Sequence, residues 1–536
     1  MEPAQFVMIQ HYGAKDPRKQ HALQVMEVKA HAARLSHIKR RKKQHRLYCP
    51  NCHALTLAKL PDQLAWSRVL SFADRSSENE DDIPVLCVCP QSPLGQGKVD
   101  PFSSGQSDEL PALMRKGLDY VIEVLWPMNS PALQGALLKS TIMAWRTAGV
   151  QSDLEYHAQI SNAASLCLAS STDPAIQRPL ALIRLRHQNK AIQLIQGAIN
   201  SLTQPPSAAL IACIMNVSTS GLQDLIPPRE QPIPTSPVSK GFNFALYARF
   251  KPTEEHYRAA AELVRQRGGL ETLPPGLAHP LQLEDVHRAN RCIGLPKFSL
   301  LAYLAERGDN PAYAFETSAS QLLSNLGSGF HFCDDHDPDR RLRELVLQAR
   351  NFTAAIDQYE RNDPLRCPLS ELATQSIIIL HRLLTLPKLG SDAFEEPMTE
   401  EEHRYEIARL STLIYANLVI FPSGSRDQPR HGLAELLHEQ LCLYHQQSHD
   451  QGSTQASESS TIDSLVLWAV VLGGIASSGI AIRSWFAARL GMYMTNQRLV
   501  WGELDRTLHT LLYWDYVMAG PTEDLWNEAV ETRHPK

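Results

Sequence analysis

Apolar residues recur along this chain at steps of three and four, and runs of alternating β-branched residues are nearly absent, so the pattern predicts an all-α, multi-helix fold. The pattern begins with Leu110, Leu113, Met114, Leu118, Val121 and Leu125. Asp108 and Glu109 sit where a first helical turn prefers acids, and Pro111 suits an early helical position. Helices are predicted over 182–202, 208–215, 254–266, 340–359, 369–386, 400–421 and 433–445. In the first of these, Leu185, Ile192, Ile195, Ile199 and Leu202 should face inward, with Arg184, Arg186 and Lys190 outward. Gly268-Gly269 should end the 254–266 helix with positive backbone angles. The expected organisation is one helical domain over 107–536, interrupted by loops near 226–240, where proline is dense, and 446–461, which is polar.

The run 464–482 is nearly all apolar, lies between Asp463 and Arg483, and is about as long as a bilayer requires. Its Gly473-Gly474 and Ser477-Ser478 pairs suit close helix packing better than lipid, and no second span accompanies it. The reading is a buried core helix and no membrane partner. Trp468, Trp485, Trp501, Trp514 and Trp526 are read as packing anchors of the same region.

Residues 1–106 read differently. Periodicity is weak, an acidic serine-rich patch occupies 76–82, and proline, glycine and serine fill 90–105, so a largely disordered arm is expected. Within it lie eight cations and no acid: Lys29, Arg34, Lys39, Arg40, Arg41, Lys42, Lys43 and Arg46. Removing these eight positive charges from a chain of net charge −5 leaves the remainder at −13. Such a split suits a head that meets a polyanion or an import receptor and a body with a separate task. Three readings of the run stay open: a nuclear-import signal centred on Lys39 to Lys43, phosphate contact along one helical face of His31, Arg34, His37 and Arg41, or a solvated charged arm. The ten cysteines are scattered, and Met1 opens into polar sequence with no apolar leader, so reduced thiols of the cytosol or nucleus are expected.

Templates for chemistry are sparse. Cys49 and Cys52 have the spacing of half a zinc knuckle, but Cys87-Val88-Cys89 has one intervening residue where a second half-site needs more, so these are weak metal candidates and no cofactor is expected. His331, Cys333, Asp334, Asp335, His336, Asp337 and Asp339 are the densest ligand-type set, with the look of a terpenoid-synthase magnesium motif. Pro338 interrupts the helix such carboxylates require, and an exposed acidic turn ahead of the 340–359 helix accounts for them. Phosphate-loop, zincin and nucleophile-elbow patterns are absent, and the reading is not an enzyme.

Several segments in order resemble the fungal-specific transcription factor domain family, in the subgroup that lacks the N-terminal Zn2Cys6 cluster; the match covers most of the chain. Phe6-Val7, His31-Ala32-Ala33-Arg34 and the Lys39 to Lys43 run are similar to its head, and Ser92-Pro93-Leu94-Gly95 leading to Val99-Asp100-Pro101-Phe102-Ser103-Ser104 to its lead into the body. Leu263-Val264-Arg265-Gln266-Arg267-Gly268-Gly269-Leu270, followed by Glu284-Asp285, resembles an internal helix and its sequel. Leu467-Trp468 through Gly473-Gly474-Ile475-Ala476 to Arg483-Ser484-Trp485-Phe486 resembles the late apolar helix, and Trp514-Asp515 and Gly520 to Trp526-Asn527-Glu528 the end. The resemblance implies a regulator of transcription in the nucleus, linked to secondary metabolite biosynthesis, whose helical body serves regulation, dimerisation or ligand sensing. It implies as partners an import receptor, DNA through the basic arm, and a second copy or other transcription regulators. The alternative is a helical interaction scaffold that never contacts nucleic acid.

Overall fold

A computed structural model of the protein describes residues 111–536 except 172, 220–224, 226–235, 243, 248, 251–252, 316–321, 331–336, 390–397, 423–428, 451–462 and 534–536. Before residue 111 it describes only a two-residue antiparallel ladder, Leu47–Tyr48 with Leu55–Thr56. Every other regular element among the described residues is helical, so the chain is all-α. The expected disordered arm over 1–106 otherwise lies outside the described residues.

The helices fall into two compact units. The first takes in the described residues up to Trp126, then Lys139–Ile226 and Arg249–Arg267. Its centre is the helix Asp153–Ser170, against which Pro174–Asn200, Ala208–Thr219 and Ala112–Tyr120 pack. Local chemistry sets these boundaries. Ser152, in extended conformation, accepts from the Glu155 amide at 3.4 Å, and Asp153 and Glu155 complement the positive helix start. Asp173 likewise accepts from the Ala175 amide at 2.8 Å, with Pro174 in the first turn. The helix Glu254–Arg267 ends where expected: Gly268 and Gly269 follow with φ of 106° and 101°.

The second unit comprises Pro127–Leu138, Pro227–Ala248 and Gly268–Lys536. At its core is the helix Ser464–Ala476, buried from Leu465 to Ala476 and surrounded by Glu400–Tyr415, Pro429–Asp450, Arg483–Asn496 and Asp515–Arg533. Gly473 and Gly474 let these neighbours close in, since a Cβ at either would collide with the Phe486 ring or the Leu525 side chain. Trp468 anchors the centre, fully buried, its Nε1 donating to the Leu512 carbonyl at 2.9 Å. No helix among the described residues is long and apolar enough to cross a membrane. The apolar run 464–482 breaks after Ala476, with a turn through Gly479 at φ 84° before the helix resumes at Arg483.

Four expectations need correction. In Pro174–Asn200 the buried stripe is Ile176, Leu180, Arg184, His187, Gln188, Ala191, Ile192 and Ile195, so Arg184 lies inside while Leu185 and Leu202 are exposed. Two stripes compete on that helix. The partly polar one lies against the facing helix Asp153–Ser170, where His187 meets His157 at 2.9 Å between Nδ1 atoms. Next, the 400–421 helix becomes a π turn over Ala416–Ile420. The polar linker expected from 446 begins instead as the last turns of the helix Pro429–Asp450. Finally, Trp501 is only loosely held: it is exposed, with one edge-on contact to Trp526 at 5.4 Å between ring centroids.

Candidate functional site

In the second unit, the helix Pro275–Arg291 carries almost as many polar as apolar residues, yet it is buried on most sides. His279, Gln282, Asp285, Arg288 and Asn290 are all buried. Burying such groups is costly unless they are paired, so their partners define what the helix does. The Asp285 carboxylate accepts from two successive amides, Lys297 at 3.0 Å and Phe298 at 2.9 Å, and Gln282 Oε1 accepts from the Leu301 amide at 3.0 Å. His381 joins the same segment through Nε2, 2.9 Å from the Phe298 carbonyl. Together they hold the chain between Cys292 and Leu301 against the helix. Asn290 and Asn417 close a reciprocal amide pair: each Nδ2 donates to the other's Oδ1, at 2.7 and 3.0 Å. The π turn Ala416–Ile420 supplies Asn417.

Further along, the His279 ring stacks on Tyr303, with centroids 5.1 Å apart and planes 14° from parallel. Burial and, to a lesser extent, the Arg307 charge push His279 down to about 4, so its imidazole is neutral near pH 7. Arg307 itself pairs with Glu371, and Gln375 Nε2 donates to the Glu371 carboxylate and the Arg307 carbonyl, both at 3.0 Å. His279 Nε2, Gln282 Nε2, Tyr303 Oη and Tyr313 Oη are buried without a hydrogen-bond partner around this ion pair. They form the polar interior of the unit.

On its other side the helix presents Glu284 and His287. Burial drives Glu284 up to about 7, opposed by Arg291 and reinforced by the Asp285 charge. His287 moves the other way, down to about 4, through burial and Arg291. Near Glu284 stands Tyr247, pushed up to about 12 by burial, whose Oη accepts from Asn129 Nδ2 at 2.6 Å. Phe244 stacks on His287, and Phe242 and Phe421 complete an aromatic cluster. Chemically this set offers amide and phenol hydrogen bonds, neutral imidazoles and one carboxyl that changes charge near neutral pH. The Cys367 thiol, close enough to Glu371 and Arg307 to feel their charges, is held up to about 12 chiefly by burial.

The residues singled out by sequence do not meet this arrangement. Arg34, Lys39, Arg40, Arg41, Lys42, Lys43, Arg46, Cys49 and Cys52 lie outside the described residues, as do His331, Cys333, Asp334, Asp335 and His336. Among the described residues no group of three or more histidine, cysteine, aspartate or glutamate side chains could hold a metal ion. Glu284 and Asp285 entered the sequence reading only within the resemblance, while His279, Gln282, Tyr247 and Tyr303 passed unnoticed. The available signal was a helix whose polar residues leave no clean apolar face. No family model matches this chain, and no curated protein and no solved structure matches it either.

Proposed function

We propose that the protein is a nuclear regulator of transcription, with a cationic head that engages the import machinery and DNA and a helical body that regulates or dimerises. The observation that carries this reading is the charge split: eight cations between Lys29 and Arg46 with no acid among them, on a chain otherwise at −13. The ordered resemblance over the sequence and the all-α body support it. In this reading Lys39 to Lys43 are read by an import receptor, while Arg34, Arg40, Arg41 and Arg46 add phosphate contacts. A fluorescent fusion with Lys39, Arg40, Arg41, Lys42 and Lys43 changed to alanine should spread from the nucleus into the cytoplasm. Unaltered nuclear accumulation would overturn the import role. For DNA, affinity should fall with salt at a log–log slope of about −0.9 per phosphate contact, and Arg40→Ala with Arg41→Ala should flatten it by roughly two contacts.

The interaction scaffold is the second reading. Of the helix Gly135–Gln151 only Thr141 and Gly149 are buried, while Leu137, Met143 and Val150 stand exposed. Chromatin association that survives deletion of residues 1–60 would favour the scaffold over the DNA-contacting regulator.

A further inference from the structure

The helix Pro174–Asn200 of the first unit holds no aspartate or glutamate in its 27 residues. Its outward face runs at steps of three and four through Arg178, Leu182, Leu185, Asn189, Gln193 and Gln196, all of them exposed, with the exposed Arg186 and Lys190 beside it. Leu182 and Leu185 are each 47% exposed and are neighbours on that face. They lie between Arg178 and Lys190, which the helical rise sets about 18 Å apart. A face meant only for water would carry polar residues at both leucine positions. Two adjacent exposed leucines among cations, with no acid on the helix, suit a covering segment that is acidic and apolar at once.

The chain itself contains such a segment. Glu78, Glu80, Asp81 and Asp82 are followed at once by Ile83, Val85 and Leu86, with no cation from Ser76 to Leu86. We infer that residues 78–86 dock along this face, with Ile83, Val85 and Leu86 covering Leu182 and Leu185 and the carboxylates lying toward Lys190. Reach and position agree with this. The helix Ala112–Tyr120 packs on Asp153–Ser170, and Tyr120 stands close enough to Cys167 to feel its charge, so the chain arrives near the end of that helix, which adjoins the start of Pro174–Asn200. From there the apolar part of the segment meets Leu182 and Leu185 first and the acids fall further along. Twenty-four residues separate Leu86 from Pro111 and extend to about 80 Å, twice the length of the helix, which is about 40 Å. Such a tether raises the local concentration of the segment to roughly millimolar, so a weak contact suffices. The docking is independent of the regulatory reading above.

Zero-length carbodiimide cross-linking of the full chain at low salt tests this, since it joins a lysine to a carboxylate only where the two touch. The monomer fraction should yield an isopeptide between Lys190 and one of Glu78, Glu80, Asp81 and Asp82, identified by peptide mass. Leu182→Ser with Leu185→Ser removes the apolar contact, keeps both reacting groups and alters only exposed positions, so the yield should fall about fivefold. Salt at about 1 M should lower it as well. In a second measurement, Glu78→Gln, Glu80→Gln, Asp81→Asn and Asp82→Asn made together should speed amide exchange over 178–193 while leaving the helix sequence unaltered. Bridges from these acids to Lys39, Lys42 or Lys43 in place of Lys190 would overturn the docking, because charge alone would then place the segment on the basic run. Lys190 bridges confined to dimers would overturn it too, as would an equal yield in the leucine variant. Should that variant misfold, the exchange comparison decides, and unchanged rates over 178–193 overturn the proposal equally.

Discussion

His509 Nε2 faces the Asp515 carboxylate at 3.2 Å across the turn between the helices Trp501–Thr510 and Asp515–Arg533. Its Nδ1 lies 2.8 Å from the Asp505 carbonyl. Both ring nitrogens therefore meet acceptors, and only the doubly protonated imidazolium donates to both. The Asp515 hydrogen bond raises His509 to about 9 despite some burial. The turn it spans is docked elsewhere, since the Thr510 and Leu511 carbonyls accept from the Gly329 and Gly327 amides at 2.7 and 3.2 Å.

The folded-state value lies above the unfolded value near 6.5, so the contribution is fully present below pH 6.5 and is lost as pH rises through 9. His509 is about one-third exposed, which limits the effect to roughly 1 kcal/mol. The loss of unfolding free energy between pH 6 and pH 10, measured in urea, should be smaller by that amount in His509→Gln than in the wild type. Equal pH dependence in the two proteins would sink the assignment.

Gly473 and Gly197 should respond in opposite ways to alanine. A Cβ at Gly473 meets Phe486, whose ring is fully buried with no room to retreat, so Gly473→Ala should cost about 1–3 kcal/mol. Gly197 sits in an exposed stretch of Pro174–Asn200 with nothing within 4 Å of the added carbon, so Gly197→Ala should stabilise by about 0.5–1 kcal/mol. Denaturant unfolding of both variants checks the pair; a neutral Gly473→Ala would mean that the core there is looser than its geometry.

These contrasts also show what the sequence could disclose. Leu369–Leu384 and Glu400–Tyr415 were legible from their dense apolar residues, although both are buried on nearly every side, and Glu400–Tyr415 starts at a capping box of Thr399 and Glu402, with Thr399 N donating to the Glu402 carboxylate at 2.7 Å. Asp153–Ser170 was not. Its buried face includes Gln159, Ser161, Asn162 and Ser165, and two of these pair outside the helix: Gln159 Nε2 with the Trp145 carbonyl at 2.9 Å, and Asn162 with Trp126 Nε1 at 3.0 Å and the Asn216 carbonyl at 3.2 Å. The same reason hid the polar interior of the second unit. A buried polar residue is recognisable only through its partners, and Asn290 and Asn417 are 127 positions apart. The reverse holds for Lys39 to Lys43, which local composition reveals and which lie outside the described residues.

The reciprocal amide pair makes its own prediction. Asn417→Ala leaves the buried Asn290 amide without its partner and should cost about 1–3 kcal/mol, whereas Asn290→Leu with Asn417→Leu should cost less than the sum of the single changes. A double-mutant cycle measures the coupling. Strict additivity would show that the two amides act independently.

The helix Pro275–Arg291 should give the second unit opposing responses to pH. His279 and His287 are held at about 4 by burial, so between their unfolded value near 6.5 and pH 4 the unfolded chain binds more protons and stability falls on acidification, by at most about 3 kcal/mol for each. Glu284 works in reverse. Its carboxyl, raised to about 7, is protonated in the folded state when the unfolded chain has already lost the proton, so its contribution is present below about 4.5 and lost as pH rises through 7. Partial exposure of Glu284 keeps that loss near 1–2 kcal/mol. The Glu284 window, about 4.5–7, overlaps that of the histidines, about 4–6.5, so Glu284→Gln should steepen the rise of stability between pH 4.5 and 6.5 and remove its fall toward pH 7. His279→Phe keeps the ring stack on Tyr303, removes the titration and should make the rise between pH 4 and 6.5 shallower without changing the fall toward pH 7. Chemical unfolding at half-unit steps from pH 4 to 8 separates the two, and a Glu284→Gln profile parallel to the wild type would refute the carboxyl's role.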